Sequence, residues 1–185
     1  TYTVTYNIGG ACPDSDTQDI IVLAVPDGTI TPAGPFCQDA LPQTLSAATA
    51  GGTWSGTGIN NAANGSFGST SLAANNYTVT YTTSGVCPQA FNSTVQVIAN
   101  LNATITAAGP FCENAAAQTL TAATPGGVWT ATGTGAITAG GQISPTTLGD
   151  GTYTFNYNLN NSGCLSSDNV QVTINALPIP SFTTS

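Results

Sequence analysis

Residues 29–54 read TITPAGPFCQDALPQTLSAATAGGTW, and residues 104–129 read TITAAGPFCENAAAQTLTAATPGGVW. The two stretches match at 18 of 26 positions without a gap, at a spacing of 75 residues. Self-similarity at a fixed period of this length is typical of chains built from repeated structural units. We therefore expect a tandem array, and this stretch sets the frame of each unit.

A second motif completes the unit and occurs three times. Tyr-Thr-Val-Thr-Tyr occurs at 2–6 and 77–81, and the related Tyr-Thr-Phe-Asn-Tyr occurs at 153–157. A cysteine and then an alternating apolar run follow each copy. The frame predicts the end of a preceding repeat (1–25), a full repeat 1 (26–100), a full repeat 2 (101–175) and the start of a following repeat (176–185). We expect the chain to be an interior window of a longer array.

The local signals within a repeat are those of strands and turns. Alternation in 77–81 places two tyrosines and a valine on one face and threonines on the other. Gly51-Gly52 and Asn75-Asn76 are turn signals. Several short strands at this spacing predict an all-β sandwich or barrel. A unit of this size has a thin core, so a covalent staple is expected to matter.

The charge composition excludes several functions. The chain has no Lys, Arg or His, and its eight carboxylates give a net charge of -8. Nucleic-acid binding depends on Lys and Arg contacts to phosphate, and anionic membrane surfaces attract the same residues. Catalysis by a histidine base or a lysine Schiff base is impossible, and so is a lysine isopeptide crosslink. We expect no enzyme activity, no nucleic-acid partner, no cofactor and no membrane span.

The cysteines predict a disulfide framework. There is no Cys-x-x-Cys and no His to support a zinc site, so disulfides in an oxidising compartment are favoured. Each full repeat has two cysteines, which predicts the pairs Cys37–Cys87 and Cys112–Cys164. Cys12 is then the second cysteine of the preceding repeat, and its partner is expected upstream of Thr1.

The combined pattern AGPFC, QTL, GG-x-W, YTVTY and Cys resembles the Ig-like tandem repeats of very large bacterial cell-surface adhesins and filament proteins. The resemblance spans both full repeats and the two partial ones. It implies tandem immunoglobulin-like β-sandwich repeats of about 75 residues. It also implies that the motif residues beside the cysteines are structural core, namely Trp54, Tyr77, Tyr81, Trp129, Tyr153 and Tyr157.

Two constellations are candidate binding sites. Asp14, Asp16 and Asp19 form a cluster of oxygen ligands of the kind that calcium takes. The cluster lacks the glycine and distal glutamate of an EF-hand loop, and repeat 1 has no acid at the matching place. Trp54 and Trp129 could stack on sugars, but their recurrence after a Gly-Gly turn favours a place in the core.

Two functions remain open from the sequence. The first is an extracellular, cell-surface structural segment of a stalk, fibre or filament with an adhesive role, whose partners are neighbouring repeats and other copies. The alternative is a carbohydrate- or ligand-binding adhesin module that uses loops at one pole of the sandwich to bind a surface glycan. The loops at 57–75 and 132–151 differ in length and sequence, which keeps the alternative open.

Overall fold

The computed structural model describes residues 1–133 and 136–181. Its regular structure is almost entirely strand. The elements are β1 (Tyr2–Ile8), β2 (Asp14–Ile20), β3 (Phe36–Cys37), β4 (Gln43–Thr44), β5 (Thr53–Gly56), β6 (Ile59–Asn61), β7 (Ser66–Phe67), β8 (Asn75–Thr82), β9 (Ala90–Ile98), β10 (Phe111–Cys112), β11 (Gln118–Thr119), β12 (Val128–Ala131), β13 (Gln142–Ile143), α1 (Pro145–Leu148), β14 (Gly151–Asn161) and β15 (Cys164–Asn175).

The chain divides into two compact units. The first comprises Thr1–Gly34, Leu41–Gly68 and Asn76–Val95, and the second comprises Pro35–Ala40, Ser69–Asn75 and Gln96–Ser185. The compact units and the sequence repeats are different divisions of the chain, because three short segments of repeat 1 group with repeat 2. The junction between the two repeats therefore lies inside the second unit. Residues 182–185 of the expected following repeat lie outside the described residues.

Repeat 1 has the strand order of an immunoglobulin domain. One sheet has the order β3-β9-β8-β5 and the other has the order β4-β7-β6. An isolated bridge joins Ile30 to Ala47, so the segment before β3 pairs with the segment that follows β4. In an immunoglobulin domain strands A, B, E and D form one sheet and strands C, F and G form the other. With the segment at Ile30 as strand A and β4 to β9 as strands B to G, the order found here matches that topology, and β3 is an additional edge strand that runs parallel to β9.

Repeat 2 has the same plan in its described part. Its larger sheet has the order β10-β15-β14-β12, its smaller sheet pairs β11 with β13, and the bridge recurs between Ile105 and Ala122. Leu120 and Ile143, at the smaller sheet, form one buried cluster with Phe155 and Val172 of the larger sheet. The two sheets thus pack face to face, which confirms the predicted all-β sandwich.

The residues of the repeated motif explain this burial. In β8, Val79 and Tyr81 are buried whereas Thr78 between Tyr77 and Val79 is exposed. Successive side chains of a strand point to opposite faces, so one face fills the core with apolar groups and the other presents threonines to water. The periodicity of the motif therefore determines which face of the sheet is internal.

Residues 1–25 contain a separate hairpin. β1 and β2 pair antiparallel from Tyr2 with Ile20 to Ile8 with Asp14. All residues of both strands are exposed, including the apolar ones. Tyr6 is 70% exposed, whereas its equivalent Tyr81 is 2% exposed. The hairpin thus has the sequence of an internal strand pair with its apolar face uncovered.

None of the helices in the described part of the chain is long and apolar enough to cross a membrane.

Candidate functional site at the junction of the repeats

A disulfide joins the two repeats. Cys37 of repeat 1 is bonded to Cys164 of repeat 2, with 5.5 Å between the Cα atoms and a sequence separation of 127. Cys12, Cys87 and Cys112 are free and exposed. The predicted pairs Cys37–Cys87 and Cys112–Cys164 are therefore wrong, and the upstream partner expected for Cys12 stays a prediction.

Strand geometry explains why a pair within one repeat does not form. β10 runs parallel to the end of β15, so Cys112 lies opposite Asn175. Cys164 is the first residue of that twelve-residue strand. A strand rises about 3.3 Å per residue, so the two cysteines are about 36 Å apart, whereas a disulfide needs Cα atoms within about 7 Å. In repeat 1, Cys37 lies opposite Ile98 at the end of β9.

Two polar side chains of the second unit fix the segment around Cys37. The Ser69 hydroxyl donates a hydrogen bond of 2.6 Å to the Cys37 carbonyl. The neighbouring Gln38 amide donates to the Leu72 carbonyl at 2.9 Å and accepts from the Asn100 N–H at 3.3 Å. Gln38 therefore connects the cysteine segment to the chain that leads into repeat 2.

A tight turn positions Cys164. Ser162 and Gly163 have φ values of 52° and 96°, and Asn161 pairs with Cys164 across the turn. Two central residues with positive φ form the two-residue turn that suits the twist of a β-hairpin. The Asn161 side-chain amide donates a hydrogen bond of 2.8 Å to the carbonyl of Ala99, in the connection between the repeats.

The junction therefore has two ties beside the main chain. The disulfide joins β3, which pairs with the end of β9, to the start of β15. The Asn161 hydrogen bond holds the connection itself. Gln38, Ser69 and Asn161 carry no signal in the sequence that marks them as junction residues, apart from the Ser162-Gly163 turn beside Asn161.

An aromatic pair recurs in the two repeats. The ring centroids of Trp54 and Tyr81 are 4.7 Å apart, and those of Trp129 and Tyr157 are 4.6 Å apart. Trp54 and both tyrosines are buried, whereas Trp129 is half-buried. In an immunoglobulin domain, a Trp on this strand packs against the disulfide between the sheets. Here each Trp packs instead against a tyrosine of the neighbouring strand in its own sheet.

The tyrosine hydroxyl of each pair closes the Gly-Gly turn. The Tyr81 hydroxyl accepts a hydrogen bond of 2.7 Å from the Gly52 N–H and donates one to the Thr49 carbonyl. The Tyr157 hydroxyl makes the same two bonds in repeat 2, to the Gly127 N–H and the Thr124 carbonyl. A Cβ on Gly52 would lie 2.3 Å from the Thr82 carbonyl oxygen, so the turn needs glycine there.

The remaining motif tyrosines lie at the start of their strands. Tyr77 and Tyr153 are half-buried. The Tyr153 hydroxyl donates to the Leu148 carbonyl five residues upstream. This is the arrangement of the tyrosine corner in immunoglobulin-like sandwiches.

A groove lies beside each aromatic pair. The groove of repeat 1 has a volume of about 220 Å³, and that of repeat 2 about 360 Å³. Trp54 and Tyr81 line the first, and Trp129 and Tyr157 line the second. Both tyrosine hydroxyls are engaged by backbone groups. The polar side chains that line the grooves are Ser46, Thr49 and Asn64 in repeat 1 and Thr119 and Thr121 in repeat 2.

The acidic candidates do not form a metal site. Asp14 and Asp16 are two residues apart on β2 and share a face, whereas Asp19 lies on the other face and accepts a 2.7 Å hydrogen bond from the Thr3 hydroxyl. In residues 1–133 and 136–181, no three His, Cys, Asp or Glu side chains come together in a way that could hold a metal ion. The structure gives the calcium candidate no support.

One carboxylate outside that cluster is perturbed. Hydrogen bonds from the Thr29 hydroxyl at 2.6 Å and the Thr29 N–H at 2.9 Å lower the pKa of Asp27. The equivalent residue of repeat 2 is Asn102, whose side-chain oxygen accepts from the Thr104 N–H at 3.0 Å. The same turn thus begins both repeats, with a charged acceptor in one and a neutral acceptor in the other.

Comparison with known proteins gives little beyond this geometry. No protein-family profile matches the chain, and no curated protein does. Among solved structures, the chain is similar to the extracellular domains 3–5 of Drosophila OTK, with a TM-score of 0.44 and 18% sequence identity. The alignment covers 94% of this chain and 70% of that chain. The immunoglobulin-like assignment rests on the strand order described above.

Proposed function

We propose that this chain is a structural segment of an extracellular stalk, fibre or filament at a bacterial cell surface, with an adhesive role. The observation that carries the proposal is the Cys37–Cys164 bond, which links consecutive repeats by a second covalent route. Disulfides persist in oxidising compartments such as the cell exterior. A linked array resists bending and pulling at its junctions, which is what a stalk requires.

The charge and the repeats support the same proposal. Repeats that contact only their neighbours form long, extended assemblies from one small structural unit. A chain with eight carboxylates and no cationic side chain lacks most catalytic groups, so we propose no enzymatic role. It also lacks the cations that nucleic acids attract.

The hairpin of residues 1–25 supports further repeat sequence as the partner of this chain. Val4 is 50% exposed, whereas its equivalents Val79 and Phe155 are completely buried by the rest of their repeats. An apolar strand face of this kind needs the missing strands of its own repeat to cover it. We propose neighbouring repeats as the main partner.

Electron microscopy of the native material on intact cells tests this proposal. An antibody raised against the 185-residue chain, detected with gold, is expected to decorate elongated surface structures at regular intervals. Protease added to intact cells is expected to remove the label. Label confined to the cell interior, or isolated globules released from the surface, would contradict the proposal.

The recurring grooves favour a second candidate, a carbohydrate- or ligand-binding module. A half-buried Trp129 beside a groove could stack on a sugar ring. Glycan-array binding by the native chain and by Trp129→Ala separates the two functions. The structural proposal expects no glycan binding by either and reduced stability in the variant. Loss of a specific glycan signal without loss of stability would favour the module.

A further inference from the structure

The three free cysteines lie at the same positions as the two bonded ones. Cys112 is the repeat 2 equivalent of Cys37, since it lies opposite the last residue of β15 as Cys37 lies opposite the last residue of β9. The following residue repeats the match: the Gln38 backbone N–H donates to the Ile98 carbonyl at 3.0 Å, and the Glu113 backbone N–H donates to the Asn175 carbonyl at 2.9 Å. We call these two positions the strand-end cysteines.

The other three cysteines lie at or directly after the turn of a hairpin: Cys12 and Cys87 are in the connection, and Cys164 is the first residue of β15. In each hairpin, the second residue after the Tyr-x-x-x-Tyr motif is paired or hydrogen-bonded with a residue on the far side of the turn. The cysteine lies two residues before that paired residue. The partners are Ile8 with Asp14 for Cys12, Thr83 with Gln89 for Cys87, and Leu159 with Ser166 for Cys164. We call these positions the turn cysteines. The agreement holds in three independent hairpins, although the turns themselves differ in sequence.

The observed bond joins a strand-end cysteine to the turn cysteine of the next repeat. We propose, resting on the array proposed above, that every repeat is bonded to its successor in this way. Cys112 then bonds to the turn cysteine of a following repeat. Cys87 bonds to the strand-end cysteine of the preceding repeat, and Cys12 to that of the repeat before it. The array is held by a ladder of disulfides between repeats, with none inside a repeat.

The ladder accounts for the odd number of cysteines. Each of the three free thiols belongs to a pair whose second member is in another repeat. Cys37 and Cys164 belong to the one pair of this kind that two consecutive full repeats can complete. Pairing of each strand-end cysteine with the turn cysteine of the next repeat therefore explains both the observed bond and the three free thiols.

The chemistry of each bond is thiol–disulfide exchange. The thiolate of one cysteine attacks an oxidant of the disulfide class, either a small disulfide or a protein disulfide, and displaces one of its sulfurs as a thiol. The second cysteine's thiolate then attacks the mixed disulfide, so the S–S bond forms between repeats. The oxidant leaves as two thiols, having taken up two electrons and the two protons.

Mapping the wild-type chain is the first part of the test. Asp-specific cleavage suits it, because the chain has no Lys or Arg for trypsin. Cleavage before Asp residues separates 27–38, which holds Cys37, from 150–167, which holds Cys164. After refolding in oxidised and reduced glutathione, we expect these two peptides to be crosslinked to each other, with three alkylated thiols elsewhere. Crosslinks from either peptide to the fragment with Cys87 and Cys112 would overturn the ladder.

A lengthened chain is the decisive part. We would insert a second copy of residues 101–175 directly after Asn175, so that Cys112 gains a following turn cysteine. The ladder predicts that the number of free thiols in denaturant stays at three, because one new bond forms and one new strand-end cysteine is left over. Pairing within repeats predicts one thiol. Five thiols would show that the Cys37–Cys164 bond is peculiar to its junction. Either of these two results overturns the proposal.

Matched variants test the two classes of cysteine. Cys164→Ser is expected to raise the thiol count of the 185-residue chain from three to four, because it frees Cys37. Cys87→Ser, at the same position in repeat 1, is expected to lower the count to two. The thiol count does not depend on the cellular location. A native fibre with pairs inside its repeats would overturn the ladder alone, and an intracellular native protein would overturn the proposed function alone.

Discussion

Cys37 and Cys164 are bonded across 127 residues, and both lie where repeat 1 leads into repeat 2. The bond closes a loop that contains most of repeat 1 and most of repeat 2. Loop-closure entropy grows slowly with length, so this loop restricts the unfolded chain by only about 1 kcal/mol more than a staple within one repeat would. The stability of the two repeats is thereby coupled through their junction.

The first prediction concerns this coupling. We expect Cys164→Ser to lower the free energy of unfolding by up to about 5 kcal/mol, the chain-entropy value for a loop of this length. Cys87→Ser is the matched control and should leave the unfolding midpoint unchanged, because that thiol is exposed and free. Guanidinium unfolding under non-reducing conditions measures both. Equal midpoints for the two variants would contradict the prediction, as would a wild-type midpoint that does not fall on reduction.

The cysteines show where sequence reasoning succeeds and where it fails. The repeat frame and the alternating motifs suffice to predict the all-β sandwich, because strand periodicity and turn residues are local signals. The predicted disulfide pairs were wrong because the two cysteines of each repeat were assumed to bond to each other. In an immunoglobulin domain the second cysteine lies two residues after the corner tyrosine. Those positions hold Val79 and Phe155 here, and this departure was visible in the sequence.

Other parts of the junction could not have been predicted. The parallel pairing of β3 with β9 and of β10 with β15 joins residues about 60 positions apart, and no local pattern encodes its register. The same register determines that each strand-end cysteine lies beside the C-terminal end of the long strand, β9 or β15. The contact of Asn161 with Ala99 likewise depends on how the turn meets the connection between repeats.

The second prediction concerns the hydroxyl of the aromatic pair. Tyr81→Phe removes the acceptor of the Gly52 N–H and the donor to Thr49, so a buried N–H loses its partner. We expect a loss of about 1–3 kcal/mol in the free energy of unfolding. Tyr6→Phe is the control, because Tyr6 is the equivalent residue of an exposed strand and should change the stability by less than about 0.5 kcal/mol.

Urea unfolding followed by tryptophan fluorescence suits this comparison, since Trp54 contacts the ring of Tyr81. A Tyr81→Phe chain as stable as Tyr6→Phe would show that the turn does not depend on the hydroxyl.

The third prediction concerns acid. Hydrogen bonds from Thr29 lower the pKa of Asp27 in the folded chain, so the charged carboxylate stabilises the fold above its unfolded pKa of about 4. That contribution is lost as the pH falls through the lowered folded value. We expect Asp27→Asn to keep the turn and to flatten the fall of the urea midpoint between pH 7 and pH 3. Asn102→Asp should make the fall steeper, and identical pH profiles for all three chains would exclude this role.

The fourth prediction tests whether the exposed hairpin is an unfinished repeat. Val79 is completely buried and Val4 is 50% exposed, although both are the central valine of the same motif. Val79→Ala should cost about 2 kcal/mol, the loss of two buried methyl groups with a small cavity, and Val4→Ala should cost less than about 0.5 kcal/mol. Placing a copy of residues 26–75 before Thr1 supplies the strands that the hairpin lacks. In that longer chain Val4→Ala should become as costly as Val79→Ala, and hydrogen exchange of the β1 and β2 amides should slow. If Val4→Ala stays without effect and the hairpin amides exchange as fast as before, the hairpin is a surface of its own and needs no preceding strands.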